Sequence, residues 1–358
     1  MILLDRFSEM SQIPRLRRIR TIAALFFLVA MTGAELSLLP QSVVRAEEKP
    51  ESPAESTSQP APREFRPGET VWRTWEGSVA NVDVAGQPRP RAIFTGAGPG
   101  AWDAKIRERG WIVRDEALWR MWYTGYDGTK EGVRRLGLAV STDGFSWTRH
   151  PANPLLPDTY VEDVCVWRDA ESDLPWLMVA EGKQDQAQWL SSPDGRTWKR
   201  EGQLDVRLTN GQPIEAGPYG TPTIFHDREL WYLFYERRDL GIWLATSSDL
   251  KQWRNVQDEP VISPGPGEYD RQMIALNQVV RIGDQYVAVL HGSSGEGMPK
   301  LWTTYFATST DLKSWTKETR SPVFPAAANR SSGQLVYDGR QWRLYTFHDR
   351  VELHFPVE

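Results

Sequence analysis

Apolar side chains recur at every second position in short segments of this chain. The alternating residues are Trp119, Met121 and Tyr123 in one segment, and Leu136, Leu138 and Val140 in the next. Alternation with period two is typical of β-strands that bury one face. Helical periodicity is almost absent downstream of residue 70. The pattern therefore predicts an all-β protein.

A turn motif follows these strand pairs and recurs along the chain. Its first copy is the segment 141–147, STDGFSW, and three further copies contain Asp194, Asp249 and Asp311. In such a turn the Asp carboxylate accepts backbone N–H bonds, and the Trp covers the hairpin. The motif Asp residues are roughly 50 to 60 positions apart, a period that favours propeller blades over a helical solenoid. We interpret these Asp residues as structural.

The strand pairs outnumber the turn motifs. The pairs begin near Trp119, Pro175, Leu230, Tyr286 and Gln341, and the last one has no turn motif after it. An open blade would expose unpaired backbone groups. We therefore predict a five-bladed β-propeller, closed when strands near residues 71–75 and 91–95 complete the C-terminal blade.

The first 67 residues differ in composition from the rest. Residues 1–46 combine basic residues at Arg15 to Arg20 with the apolar run Thr21–Met31, which predicts a signal peptide and a secreted or periplasmic protein. A retained membrane anchor is the alternative. Residues 47–67 are rich in Pro, Ser and Glu and are expected to be a disordered linker. Residues 68–358 are predicted to form the propeller.

Charge and cysteine content limit the partners and covalent links that the protein can have. The formal net charge is −5 at pH 7, and no run of basic residues follows the predicted signal peptide and linker, which argues against a nucleic-acid partner. Cys165 is the only cysteine, so no internal disulfide and no lipid-anchoring cysteine are expected. After signal cleavage we expect a monomer without a membrane partner.

Polar residues converge on one end of the predicted propeller. Residues that begin the first strand of a blade lie at the same end as residues that finish the second strand. This rule brings together Trp102, Asp103, Arg107, Glu108, Arg109, Glu162, Asp163, Glu181, Glu215, Tyr219, Thr221, Glu236, Arg237, Asp270, Asn277, His291 and His348. Glu181, Glu236 and His291 occupy equivalent positions in successive blades. Trp102 and Tyr219 lie outside the repeat, as candidate platforms for a ligand. The sequence thus predicts a funnel of ionisable groups.

The motifs resemble those of the five-bladed glycosidases. The segments that carry this resemblance are Trp102-Asp103, MWYTG at 121–125, the turn motif at 141–147 and WYLFY at 231–235. The likeness extends to glycoside hydrolase families 43 and 32 and to the mannoside phosphorylases of family 130. It implies three acids at the starts of first strands: Asp103 as base or nucleophile, Asp163 as its support, and Glu215 as the acid. Glu236, at the end of the neighbouring strand, is the alternative for the acid.

The resemblance implies an exported glycoside hydrolase that cleaves a polysaccharide or oligosaccharide by carboxylate acid–base chemistry. No cofactor is expected, although a structural cation in the channel is compatible with the sequence. A phosphorylase is one alternative, with Arg107, Arg109 and Arg237 available for phosphate, or for sulfate or uronate groups. A non-catalytic carbohydrate-binding propeller is another. A sialidase fits less well, because its arginine triad is not recognisable.

Overall fold

The computed structural model describes residues 65–76, 92–115, 118–169, 175–215 and 219–357. The predicted signal peptide and residues 47–64 of the predicted linker lie outside these ranges. The described residues fold into five sheets, with two three-residue 3-10 turns as their only helical pieces. None of these residues belongs to a helix with the length and hydropathy needed to cross a membrane.

The strands follow one another blade by blade along the chain. Two N-terminal strands come first, β1 (Val71–Thr74) and β2 (Phe94–Thr95). Blade one contains β3 (Lys105–Ile106), β4 (Trp111–Asp115), β5 (Leu118–Tyr126), β6 (Arg135–Ser141) and β7 (Thr148–Arg149). Blade two contains β8 (Glu162–Arg168), β9 (Trp176–Glu181), β10 (Ala187–Ser192) and β11 (Lys199–Gln203).

The remaining blades repeat the arrangement. Blade three contains β12 (Asp205–Arg207), β13 (Gly220–Asp227), β14 (Leu230–Glu236), β15 (Ile242–Ser247) and β16 (Gln252–Asn255), with β12 added parallel to β16. Blade four contains β17 (Met273–Ile282), β18 (Gln285–Ser293), β19 (Thr303–Ser309) and β20 (Thr316–Lys317). Blade five contains β21 (Gly333–Tyr337), β22 (Trp342–Phe347) and β23 (Arg350–Val357). The first strands β4, β8, β13, β17 and β21 contact their neighbours in a closed ring, which confirms the predicted five-bladed propeller.

Strands from both ends of the described chain complete blade five. β1 pairs antiparallel with β23, with Val71 opposite Val357, and β2 pairs with the other end of β23. This is the pairing that the closure argument predicts. The buried side chain of Phe65 packs 5.7 Å from Trp72 and 5.5 Å from Phe306, measured between ring centroids. Among the described residues, packing therefore includes Phe65, which lies slightly before the predicted domain boundary.

The repeated turn motif has the same hydrogen bonds in all four copies. In the second copy, Oδ1 of Asp194 accepts the backbone N–H groups of Arg196 at 2.8 Å and Thr197 at 2.7 Å. The equivalent Asp oxygens in the other copies do the same. The preceding blade adds a further hydrogen bond to this second copy, because Trp122 of β5 donates its indole N–H to the Gly195 carbonyl at 2.9 Å. The structural role predicted for these Asp residues is confirmed.

The first strands share a distortion near their starts, at what we call the bulge positions: Arg109, Asp163, Thr221, Asn277 and Ser332. Bulges interrupt the pairing of β8, β13 and β17 at these positions. The backbone φ angles are +58° at Arg109, +51° at Asp163, +48° at Thr221 and +51° at Ser332. Bulges re-aim side chains, and left-handed non-glycine residues concentrate at functional sites. The distorted positions therefore indicate a functional site at the channel.

Candidate active site

A pocket of about 420 Å³ opens at the channel end where first strands begin and second strands finish. We call it the mouth pocket. Its lining residues are Arg107, Glu108, Arg134, Tyr160, Glu162, Asp163, Glu181, Asp185, Thr221, Glu236, Arg238, Asp239, His291 and Trp302. Eight of these were expected from the sequence, and they come from blades one to four. The convergence predicted from strand polarity is therefore observed for this subset.

Six lining residues were not anticipated. Arg238 and Asp239 follow Glu236 directly, and Asp185 lies in the turn after Glu181. Tyr160 precedes the first strand of blade two, and Arg134 and Trp302 lie just before third strands. The rule considered only strand starts and second-strand ends. Extending it to the adjacent turns would have included these residues.

Asp103 is placed away from the mouth pocket. Its buried carboxylate accepts the Tyr123 hydroxyl at 2.9 Å and Nε of Arg149 at 2.7 Å. Arg149 belongs to β7, the outer strand of blade one, so Asp103 joins strands within its blade. The structure brings Glu108, rather than Asp103, to the pocket from this blade. In the structure, Asp103 is thus a hydrogen-bonding residue within blade one and does not line the mouth pocket.

Glu215 is also remote from the pocket lining. Its side chain is 85% exposed, and its nearest charged partner is Arg237 at 4.0 Å. Glu236, the other candidate for the acid, is buried and lines the pocket. The structure thus separates the two glutamates that the sequence left as alternatives.

The two predicted aromatic platforms are part of the packing. Trp102 stacks on Tyr123 with 6.0 Å between ring centroids. Tyr219 is buried, and its hydroxyl donates to the Leu204 carbonyl at 3.1 Å. Neither lines the mouth pocket. The aromatic residues that do are Tyr160 and Trp302.

Asp270 is fully buried and paired with Lys317 of β20. This ion pair lies within blade four, and Asp270 does not line the mouth pocket. The ion pair anchors the segment before β17 to the outer strand of this blade.

Glu162 is held by three groups at the pocket wall. One carboxylate oxygen lies 2.5 Å from Nε of Arg107, and the other accepts the Tyr160 hydroxyl at 2.5 Å. Nε of Arg134 lies 3.8 Å away. Charge-assisted hydrogen bonds of this kind fix geometry. Glu162 therefore orders the wall between blades one and two, and its oxygens are already occupied.

Glu108 forms a charge pair with His348 across the junction of blades one and five. Oε2 of Glu108 lies 3.5 Å from Nδ1 of His348, and Arg107 lies 3.7 Å from the other oxygen. Burial alone would raise the pKa of Glu108, but these cations outweigh it and lower the pKa to about 2. Burial opposes protonation of His348, whereas Glu108 raises its pKa above the ordinary value. Glu108 is thus an ionised carboxylate at neutral pH.

Asp163 and Glu181 act on each other in the same pocket. Burial and then the charge of Glu162 raise the pKa of Asp163, and burial and then Asp163 raise the pKa of Glu181. Oδ1 of Asp163 is buried with no hydrogen-bond partner among the described residues. Like charges that share a buried site resist joint ionisation. The pair therefore holds protons at a pH where ordinary carboxyls have lost them.

Glu236 approaches this pair over the backbone of Gly220. Oε1 of Glu236 accepts the Gly220 N–H at 3.1 Å. A Cβ at Gly220 would lie 2.5 Å from Oε2 of Glu181 and 2.6 Å from Oε1 of Glu236, so those oxygens are within about 5 Å of each other. Burial, reinforced by Asp239, raises the pKa of Glu236 to about 7. Glycine at this position makes the close approach of the carboxyls sterically feasible.

His291 is an uncharged member of the pocket. Its Nδ1 lies 2.9 Å from Oδ1 of Asn277, and burial lowers its pKa to about 4. In this arrangement Nδ1 carries the proton, and Nε2 is left as an acceptor. Asn277, a predicted site residue, does not line the pocket but orients the histidine that does.

Arg109 occupies the channel beneath the pocket. Its buried guanidinium donates to the Pro222 carbonyl at 2.8 Å, to the Thr223 hydroxyl, and to the Asp163 carbonyl at 3.4 Å. It thereby links blade one to blades two and three. A fixed positive charge repels a second cation. At this position, the channel cation that the sequence left open would meet the charge of Arg109.

Comparisons with known proteins show the fold. No family model matches the sequence. A fructan β-fructosidase from Streptococcus mutans is 24% identical over 156 residues, which cover 40% of this chain and only 11% of that protein. A glycosyl hydrolase from Bacteroides ovatus has a TM-score of 0.63 at 13% identity, covering 82% of this chain and 98% of that one.

A β-1,2-mannobiose phosphorylase from Listeria innocua, solved with β-1,2-mannobiose, has a TM-score of 0.56 at 12% identity. That match covers 74% of this chain and 94% of the phosphorylase. Both hydrolytic and phosphorolytic proteins therefore share this five-bladed architecture. At such low identity the likeness shows the fold alone.

Proposed function

We propose that this protein is an exported glycoside hydrolase that cleaves a glycosidic bond in a polysaccharide or oligosaccharide. Glu236 is assigned as the general acid and Glu108 as its ionised partner. Asp163 and Glu181 position and tune these groups. This assignment moves the base from Asp103 to Glu108, and it selects Glu236 over Glu215.

The observation that carries the proposal is the separation of carboxyl pKa values within one pocket. Glycosidic cleavage needs one carboxyl that is protonated near neutral pH and one that is ionised. The pKa of Glu236 is raised to about 7 by burial, whereas His348 and Arg107 overcome burial and hold the pKa of Glu108 at about 2. The two environments therefore supply both roles at the same pH.

The proposed steps use these protonation states. Glu236 donates its proton to the leaving oxygen as the bond to the anomeric carbon breaks. Glu108 accepts a proton from the water that attacks this carbon, so the sugar gains a hydroxyl. Nε2 of His291 is placed to accept a hydrogen bond from a sugar hydroxyl.

Charge favours hydrolysis over phosphorolysis. The mouth pocket is lined by seven carboxyl residues and three arginines, and Arg107 is already paired with Glu162 and Glu108. With Asp163, Glu181 and Glu236 protonated, four carboxylates still face three arginines. A phosphate dianion would therefore meet net negative charge, which is unfavourable at close range. A neutral water nucleophile meets no such barrier.

The test measures turnover of wild-type protein on neutral and acidic oligosaccharides and on 4-nitrophenyl glycosides, each with and without inorganic phosphate. Glu236→Gln and Glu108→Gln are expected to lower kcat by at least about 100-fold. Asp163→Asn is expected to do the same through Glu108 and Glu181. Glu236→Gln should retain more activity on 4-nitrophenyl glycosides, whose leaving group needs little protonation.

Glu215→Gln is the matched control, since it makes the same change on an exposed side chain outside the pocket. Its turnover should stay within a few-fold of wild type. Equal losses in Glu215→Gln and Glu236→Gln would contradict the acid assignment. Turnover that requires phosphate would indicate a phosphorylase, and glycan binding without any turnover would indicate a carbohydrate-binding propeller.

Export is proposed from the sequence of residues 1–46. Expression of the full chain in a Gram-negative host, followed by fractionation and intact-mass analysis, tests it. We expect a shortened chain in the periplasm or medium. A full-length chain retained in the membrane fraction would favour the anchor alternative.

A further inference from the structure

A second cavity of about 770 Å³ adjoins the mouth pocket on the side of blades one and two. We call it the outer cavity. It lies between the loop 127–134, which joins β5 to β6, and the turn 182–186, which joins β9 to β10. Arg134 and Tyr160 line both cavities. The outer cavity is therefore next to the place where the glycosidic bond is proposed to be cleaved, with Arg134 and Tyr160 between the two.

The two cavities differ in charge. The outer cavity is lined by Lys130, Arg134, Lys183 and Arg200 against two acidic residues, Glu131 and Asp158. The mouth pocket has three arginines against seven carboxyl residues. A ligand that spans both would be placed most favourably with a neutral part in the mouth pocket and a negative part in the outer cavity.

Three of the four basic groups of the outer cavity are available to a ligand, and the fourth, Arg134, is engaged with Glu162 and with backbone carbonyls. The ammonium groups of Lys130 and Lys183 are on exposed residues and have no hydrogen-bond or ion-pair partner among the described residues. Arg200 uses Nε to donate to Oε1 of Gln188 at 2.7 Å, which leaves its terminal nitrogens unpaired within the described part of the chain. The cavity therefore presents cationic donors that its own acids do not neutralise.

Amide side chains complete the lining. Gln184, Gln186, Gln188 and Gln203 all face this cavity. Gln188 is tied down, since its Nε2 donates to the Tyr160 carbonyl at 2.7 Å. Gln184 lies in a left-handed turn, with φ +64°. Amides offer both donors and acceptors, which suits sugar hydroxyls, and the volume is in the range of small-molecule sites.

We propose that the outer cavity binds an acidic sugar residue of the substrate, one that carries a carboxylate or a sulfate next to the cleaved bond. This inference rests on the proposed glycosidase function and adds the substrate class to it. Lys130, Lys183 and Arg200 recognise the anionic group. Ring hydroxyls bind the amide of Gln184 and the amide atoms that the Gln203–Gln186 hydrogen bond leaves free.

Binding rather than turnover tests the inference, so Glu236→Gln protein is used throughout. Calorimetric titrations compare tetrasaccharides of galacturonate and mannuronate with their methyl esters, and a sulfated galactan tetrasaccharide with its desulfated form. We expect at least one acidic probe to bind at least about 10-fold more tightly than its neutral counterpart, and to weaken as salt rises. The carboxylate and sulfate pairs distinguish the two sources of charge.

The decisive variant is Lys130→Met/Lys183→Met. It should lower the affinity for the acidic probe about 10-fold and leave the affinity for neutral probes unchanged. Its matched control is Lys251→Met/Lys313→Met, which removes the same charge from exposed turns of blades three and four. Equal effects of the two double variants would overturn the inference, as would neutral probes that bind as tightly as acidic ones, or no acidic probe that binds. Turnover of neutral glycans by wild type would then leave the glycosidase proposal standing.

Discussion

Glu236 shows how burial of one side chain links the proposed chemistry to stability. Burial and Asp239 raise its pKa from the ordinary 4.5 to about 7. Between these values the folded state binds more protons than the unfolded state, so the free energy of unfolding falls as pH rises. Glu236→Gln removes this penalty. The variant should gain stability relative to wild type on going from pH 5 to pH 8, on the order of 3 kcal/mol.

Thermal unfolding of both proteins at the two pH values measures this difference. Glu215→Gln serves as the control, because it alters an exposed glutamate. A stability difference between Glu236→Gln and wild type that does not change with pH would show that Glu236 titrates normally, and would remove the main support for its role as the acid.

Gly220 is predicted to be essential for the geometry of the carboxyls. Alanine there would place a Cβ within 2.6 Å of oxygens on both Glu181 and Glu236. The side chains must then shift, and misplacement of about 1 Å can cost 10²-fold in rate. We expect Gly220→Ala to lower kcat at least about 10-fold, with a smaller effect on KM. Steady-state kinetics measures this, and wild-type kcat would show that neither glutamate needs its present position.

At the scale of the element, the four turn motifs tie successive hairpins together. The N–H groups of Thr197 and Arg196 outweigh the effect of burial and lower the pKa of Asp194 to about 2. The stability that Asp194 contributes is therefore present above its unfolded pKa of 3.8 and is lost as pH falls toward 2. Asp194→Ala should cost about 1 kcal/mol at pH 7, and the loss should shrink below pH 4.

Asp194→Asn is the matched variant, because its amide oxygen still accepts both N–H groups. It should lose less stability than Asp194→Ala at pH 7, as measured by urea unfolding. Turnover per folded molecule should match wild type in both variants. A selective loss of turnover would mean that this turn residue has a direct part in the chemistry.

Strand β1 is predicted to be the element that closes the molecule. It covers the edge of β23, and its own Trp72 packs against Phe65. Removal of residues 1–76 would expose that edge and strip apolar cover, so we expect the melting temperature to fall by more than about 10 °C. Removal of residues 1–63 is the control. Equal melting temperatures for the two truncations would reject closure through β1.

The repeats explain why these elements could be predicted from the sequence. Alternating apolar residues and the four turn motifs depend on local geometry, which each segment specifies by itself. Bulges are different, because one extra residue changes which side chain faces the channel. Asp103 and Glu108 both precede the distortion at Arg109, outside regular strands, so alternation alone does not decide between them. Glu215 precedes β13 by several residues, so counting from the strand could not place it.

Across the whole molecule, the channel is where the five blades depend on one another. The bulge positions bring Arg109, Asp163, Asn277 and Ser332 together, and each of these has a buried polar atom with no partner among the described residues. Such atoms are costly to bury unless something satisfies them. Only the closed ring of blades creates this environment, which explains why no single repeat reveals it.

Arg109 is predicted to be the central tie of this ring. Its guanidinium joins blade one to carbonyl and hydroxyl groups of blades two and three. Arg109→Met would leave these acceptors without their donor, and we expect a loss of about 3–5 kcal/mol in the free energy of unfolding.

The same substitution removes the positive charge of Arg109, which lowers the pKa of Asp163. Asp163 in turn acts on the pKa of Glu181. Any residual activity should therefore extend to higher pH. Arg109→Lys keeps the charge but has fewer donors, so it should recover the pH profile and only part of the stability. Arg237→Met, a substitution at a partly exposed arginine, is the control for urea unfolding. If the free energies of unfolding of Arg109→Met and this control agree within about 1 kcal/mol, the blades are held together without Arg109. The channel contacts of its guanidinium would then not be what stabilises the ring.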